Sequence, residues 1–163
     1  MIDLKVTANI KSLEALIARF PEASLFARRS RISEASLLLQ RKIMLISPEG
    51  AGPIHLRDTI FSAVSIGEPV RGFVGTPAIY GEAVEMGTKP HFPPVAPILF
   101  WVEKKLGLSG KEAVSVAHAI VRKISKKGTY GKYMFKYGLE RNRAKVVGIL
   151  KKIPDDIIRA VNA

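Results

Sequence analysis

The chain has 163 residues, 47% of them apolar and 25% charged, the composition of an ordinary globular protein with a real core. It has no cysteine, which excludes a disulfide framework and thiolate metal sites, and no apolar run approaching the roughly 20 residues of a membrane span. The net charge is +12, and residues 101–163 carry fifteen basic groups against five acidic ones, a field suited to nucleic acid, acidic protein surface or anionic lipid. The same charge is also what a solvated basic helix pair with no partner would show.

The start, MIDLKVTANIKSLEAL, has no basic segment leading into an apolar block, so no signal peptide is expected and a protein made and used in cytoplasm is the natural reading. Residues 2–7 alternate, with Ile2, Leu4 and Val6 on one side, and predict a short edge strand. Leu13, Leu16 and Ile17 mark a short helix that stops before Pro21. Pro21 opens a longer one with the stripe Leu25, Ile32, Ala35, Leu39, Ile43 and Ile46. Arg28, Arg29, Arg31, Arg41 and Lys42 fall mostly off that stripe and are expected in solvent. Ser47-Pro48 ends the helix and SPEGAGP, residues 47–53, reads as a loop.

LRDTIFSAVSI then alternates, with Ile60, Val64 and Ile66 on one side, and predicts a strand. VRGFVGT, residues 70–76, predicts its antiparallel partner, with Val70 and Val74 facing the core. Thr76-Pro77 reads as a helix N-cap and first position. Ile79, Ala83 and Met86 follow at helical spacing and predict a buried face, and Gly87 ends the helix. Four prolines between residues 90 and 97 stiffen the loop that carries His91 and Phe92. Pro97 is expected to restart a helix with Ile98, Leu99, Trp101, Val102 and Leu106 inward, Trp101 mostly buried. That loop suits either contact with a neighbouring surface or a rigid cover over its own core.

Gly107 stops this helix, and Ser109 with Glu112 forms a capping-box pattern. The helix beyond it carries Ala113, Val116, Ala117, Ile120 and Ile124 on one face, with Arg122, Lys123, Lys126 and Lys127 at its C-terminal end. Gly128 ends it, and residues 128–138 combine three tyrosines, one phenylalanine and two lysines. Gly87-Thr88 and Gly128-Thr129 are a weak internal echo, each preceding an aromatic stretch. A further amphipathic helix follows, and Pro154 opens a last one with Ile157, Ile158 and Val161. The whole predicts a single α+β domain over 1–163. A small antiparallel sheet, the central hairpin, packs against a long N-terminal helix, with a core over about 1–108 and a basic helical extension over about 109–163.

No catalytic, metal or cofactor constellation is legible. His55, His91 and His118 show no metal-binding spacing, and His118 reads as a partly buried, satisfied residue. No serine sits in a nucleophile elbow, and no glycines cradle a phosphate before a helix. Asp155-Asp156 is the one close acidic pair and fits helix capping. The chain is read as a non-enzyme with no cofactor.

Two sets of residues carry a resemblance: Ser47, Pro48, Gly52, Leu56, Arg57 and Ile60, then Tyr80, Glu85, Gly87, Thr88, Pro90, Pro93, Pro94 and Pro97. In this order, around a two-stranded hairpin, they resemble the tail-completion or head–tail joining (neck) proteins of long-tailed double-stranded DNA bacteriophages. Ala113 to Met134 is similar to members with a C-terminal extension, and the likeness spans about residues 10–140. It departs where GAGPIH separates the loop from Leu56-Arg57. The resemblance implies a structural virion protein, made in the host cytoplasm, that completes the tail or joins it to the DNA-filled head. It implies an oligomeric ring, with a hexamer favoured, neighbouring neck and tail proteins as partners, contact with packaged DNA, and no membrane. The interface residues expected on this reading are Tyr80, Glu85, Thr88, His91, Phe92 and Val95. A stand-alone basic DNA-binding module is the alternative, with Arg122, Lys123, Lys126, Lys127 and Lys132 as its contacts. Residues 122–152 hold eleven basic groups against one acidic.

Overall fold

Two prolines frame the longest element of the chain. Pro21 is preset for a helix start and Ser47-Pro48 forbids continuation, and helix α2 runs over Pro21–Ile46, after α1 over Lys11–Arg19. The computed structural model describes residues 11–50 and 55–162, so the strand expected over 2–7, and Gly52, lie outside the described residues. The fold is α+β. The chain divides into two compact units, residues 1–46, 60–75 and 135–163 in the first and residues 47–59 and 76–134 in the second. The division does not fall near residue 108: the chain passes between the units four times, and its C-terminal third belongs partly to each.

In the first unit, strand β1 (Phe61–Val64) pairs antiparallel with β2 (Gly72–Gly75) in the register Phe61 with Gly75 to Val64 with Gly72. The hairpin packs on α2, and so does the last helix. Gly72 is what lets the hairpin lie so close: a β-carbon there would run into Ser36 Oγ and Ile32 Cγ2. Gln40 ties the two layers, its Nε2 donating to Ile60 O at 2.8 Å and its Oε1 accepting from Ser62 Oγ at 2.7 Å. The strand is shorter than its alternating pattern, and Ile66, beyond its end, is 88% exposed rather than inward.

Helices α6 (Met134–Leu150, all but its first residue here) and α7 (Ile153–Val161) complete this unit. Ala27 of α2 is a small residue against which Ile153 and Ile157 close, with Phe20 and Leu150 at the margin. The inward line of α2 is Ala27, Ala35, Leu39 and Ile43. Leu25 and Ile32 are only half-buried and Ile46 is exposed. The expected stripe is therefore corrected, because α2 is covered from two directions and small residues take the closest approaches. The α2 arginines are not all in solvent either. Arg28 pairs with Glu68 at 2.8 Å, Arg29 is half-buried, and Arg31 grips Asp156 through both Nε and Nη2, the latter at 2.9 Å. Asp156 is thus a partner of Arg31 rather than a simple helix cap. The hydrogen-bonded guanidinium holds its carboxyl below the ordinary carboxylate range, and Asp156, ahead of Glu34, pushes Arg31 upward. Pro154 sits second in α7, one residue after its start.

In the second unit, residues Leu56–Thr59, read above as strand, form a 3-10 turn that buries Leu56, with Thr59 Oγ1 donating to Leu56 O at 2.7 Å. Helices α4 (Val95–Leu106) and α5 (Gly110–Lys127) pack on each other through Val102, Ala113 and Ala117, all 0% exposed. The alanines of α5 leave room for Ile98 and Leu99 of α4. Trp101 is 39% exposed and Leu106 is 48% exposed, so neither belongs to the buried stripe. The helix begins at Val95, not Pro97; a proline at the third position removes an N–H that has no intrahelical acceptor anyway. Ser109 occupies the N-cap of α5, but its hydroxyl makes no capping bond, so the expected capping box is not formed. His118 is exposed.

Candidate functional site

All the residues singled out above for interface or nucleic-acid contact belong to the second unit. Their frame is a short helix and a two-rung ladder. Helix α3 covers Gly81–Met86 and strand β3 covers Gly87–Thr88, which pairs antiparallel with β4 (Thr129–Tyr130). Thr88 and Thr129 face each other, and each backbone N–H donates to the other's hydroxyl, at 3.1 and 3.2 Å. The two hydroxyls are 3.0 Å apart. Gly87 and Gly128 both have positive φ, at 79° and 68°. A β-carbon at Gly87 would meet Thr129 O, and one at Gly128 would meet Thr88 O. Only glycine fits on both grounds. The last turn of α3 is closed from the same side: Lys132 N–H donates to Val84 O at 2.8 Å and Tyr133 N–H to Glu85 O at 3.0 Å. Carbonyls that a helix end leaves orphaned are satisfied by the segment after β4.

This ladder joins the two features that looked separate in sequence. Thr88 leads directly into Lys89-Pro90-His91-Phe92, and Thr129 follows the basic end of α5 after Gly128. The signal that could have found the pairing was the repeated Gly-Thr at 87–88 and 128–129.

The structure separates the six expected interface residues. Tyr80, at the start of α3, is 48% exposed, and Phe92 is 79% exposed. His91 is exposed, with Nδ1 2.9 Å from Lys89 O. Thr88 is committed to Thr129. Glu85 is only 7% exposed and Val95 packs against the Val102 cluster, so neither side chain is presented to a partner. Glu85 lies inward because α3 turns Gly81 and Glu85, not Ile79 and Met86, to the interior. Gly81 allows Thr76 and Leu56 to press against its backbone. Thr76 forms a turn, its Oγ1 accepting from Ala78 N–H at 3.1 Å, rather than capping α3.

The consequence is that Ile79 and Met86, which the sequence pattern placed inside, join Tyr130 in a set of exposed apolar side chains. Ile79 is 99% exposed, Tyr130 88% and Met86 62%. These three residues and Phe92 all sit on α3, the ladder, or the turn and loop that adjoin them. The five basic residues are exposed as well: Arg122, Lys123, Lys126 and Lys127 on the last turns of α5, and Lys132 just after β4. None of them is paired with a carboxylate among the described residues.

No family model, curated protein or solved structure matches this chain.

Proposed function

We propose that the chain is a structural subunit of the neck or tail of a long-tailed bacteriophage, assembling into a ring that completes the tail or joins it to the head. The observation that carries the assembly half of this reading is the set of large apolar side chains, Ile79, Met86, Phe92 and Tyr130, exposed on α3 and its leading turn, the proline loop and the braced ladder. Exposed apolar side chains on a stiff support cost little to order and are typical interface anchors. A ring requires one patch to dock into a different patch of the next subunit, which an outward loop of this kind suits. The phage half rests on the resemblance of residues 47–60 and 80–97. Glu85 and Val95 drop out of the contact set, and Tyr80, His91 and Phe92 remain with the apolar residues just named.

Light scattering on the purified protein, alone and mixed with neck partners, tests this. A ring near six subunits is expected, with Phe92→Ala leaving stability within about 1 kcal/mol and impairing assembly. A large stability loss with normal assembly would show that Phe92 serves its own core. The second reading, a DNA-binding module, is favoured by the five exposed basic residues. It expects duplex binding whose log–log salt slope is about −0.9 per phosphate contacted, flattened when Lys123, Lys126 and Lys127 become Gln. A small, monomeric species retarding DNA would support it over the ring.

A further inference from the structure

The first unit contains a groove of about 400 Å³ that plays no part in the reading above. One wall is α2, through Arg29, Ser33, Ser36 and Leu37, and the other is the chain from residue 62 to residue 66. Among the described residues, the second wall is a sheet edge with no further strand on it. Ser65 N–H donates to Arg71 O, so the odd-numbered residues of β1 turn their backbone toward β2. Ser62 and Val64 therefore direct N–H and C=O away from β2. Ile60 O points the same way and is taken by Gln40, which closes one end of the edge. No bond to the backbone of Ser62 or Val64 on that side is recorded among the described residues. The pleat also sets a period of two along such an edge.

The first wall supplies a charge without a partner. Arg29 is half-buried, its Nε is buried with no hydrogen-bond acceptor, and no carboxylate pairs with it among the described residues. Its neighbours in sequence, Arg28 and Arg31, are both paired. A guanidinium held beside a polar groove in this way favours an anion that can accept its N–H groups. Serine hydroxyls at 33 and 36 line the same wall, and Leu37 and Ile66, 43% and 88% exposed, offer apolar surface in the same groove.

We propose that this groove takes an extended segment of a partner protein as a further strand against β1, with an acidic side chain on Arg29 and apolar side chains at alternate positions against Leu37 and Ile66. Main-chain bonds to Ser62 and Val64 supply the pairing, and the arginine supplies selectivity. Charge makes the peptide acidic: the one charged side chain lining the groove, Arg29, is a cation with no carboxylate partner among the described residues, on a chain of net charge +12.

The test uses the whole protein and eight-residue capped peptides alternating valine and threonine, with glutamate, glutamine or lysine at one central position. The glutamate peptide should bind at least tenfold more tightly than the glutamine peptide, and should slow exchange of the Ser62 and Val64 amides. Arg29→Gln should erase the difference between glutamate and glutamine. Thermal unfolding of that variant checks that it folds. Val64→Pro gives an independent reading, since it removes an outward N–H and no rung shared with β2, and it should abolish binding of every peptide. Equal binding of the glutamate and glutamine peptides overturns the proposal. So does unchanged exchange at Ser62 and Val64, binding of inorganic phosphate at Arg29 with no peptide bound, or protection of these amides that rises with protein concentration alone. The last result would make the occupant a second copy.

Discussion

Both units contain a small antiparallel pair, and the two are built on opposite principles. β1 and β2 are near neighbours in sequence, joined by a short connection and laid flat on α2. Closing so short a loop costs little, and the pair can rely on ordinary side-chain packing and the Gln40 tie. β3 and β4 are two residues each, and their threonines lie 41 positions apart. Two rungs cannot offset that closure by pairing alone. The ladder adds hydroxyl bonds in both directions and backbone contacts so tight that only glycine fits at two positions. A local pair tolerates approximate chemistry; a distant pair of this size depends on a few positions being right.

The largest expected effect breaks the distant pair. Gly128→Ala meets both a positive φ and the Thr88 carbonyl, and should cost about 3 kcal/mol or more in denaturant unfolding. A loss under about 1 kcal/mol would show that the ladder is dispensable. Gly72→Ala should cost less, about 1–3 kcal/mol, because its β-carbon meets only side-chain ends, Ser36 Oγ and Ile32 Cγ2, which can move. Ser36→Gly should recover part of that loss in the double variant. Thr88→Val and Thr129→Val should each cost about 1 kcal/mol, and the pair less than the sum, since each removes its own backbone-to-hydroxyl bond but both remove the one between the hydroxyls. Additive costs would separate the two hydroxyls. The smallest effect lies at Asp156. Its carboxyl titrates lower in the folded state, so its contribution is present above the ordinary carboxylate range and is lost as the pH falls through that range toward the lowered value. Asp156→Asn should lose that contribution at pH 7, by about 1 kcal/mol or less for a pair this close to solvent, and should flatten the acid side of the stability curve, the two proteins converging below about pH 4.

Sequence logic worked where a residue acts locally. Pro21 and Ser47-Pro48 fix the ends of α2, and Gly87, Gly107 and Gly128 end helices with positive φ. The hairpin, too, was readable from alternation. It failed where tertiary neighbours decide the face. Six residues of α3 are too few for a stripe to declare itself, and Ile79 and Met86 share a spacing that in this case marks an outward surface. Glu85 could not be read as buried, because its setting depends on segments some 45 residues further along the chain. Trp101 illustrates the same point within α4, where alanines of α5 admit Val102 fully and leave the indole partly outside. The ladder left only a repeated dipeptide, since two-residue strands carry no propensity signal.

One consequence of the interleaved units concerns synthesis. The second unit is complete once residue 134 has been made, whereas the first still lacks residues 135–163. Until then Ala27 has no Ile153 or Ile157 to cover it, and Ile43 has no Gly138 beside it. On a ribosome adding about 5–20 residues per second, α2 and its hairpin wait a second or more with one flank uncovered. The part of the chain that begins first is therefore the part that finishes last, and a premature stop shortly after residue 134 would release a finished second unit attached to an unfinished first.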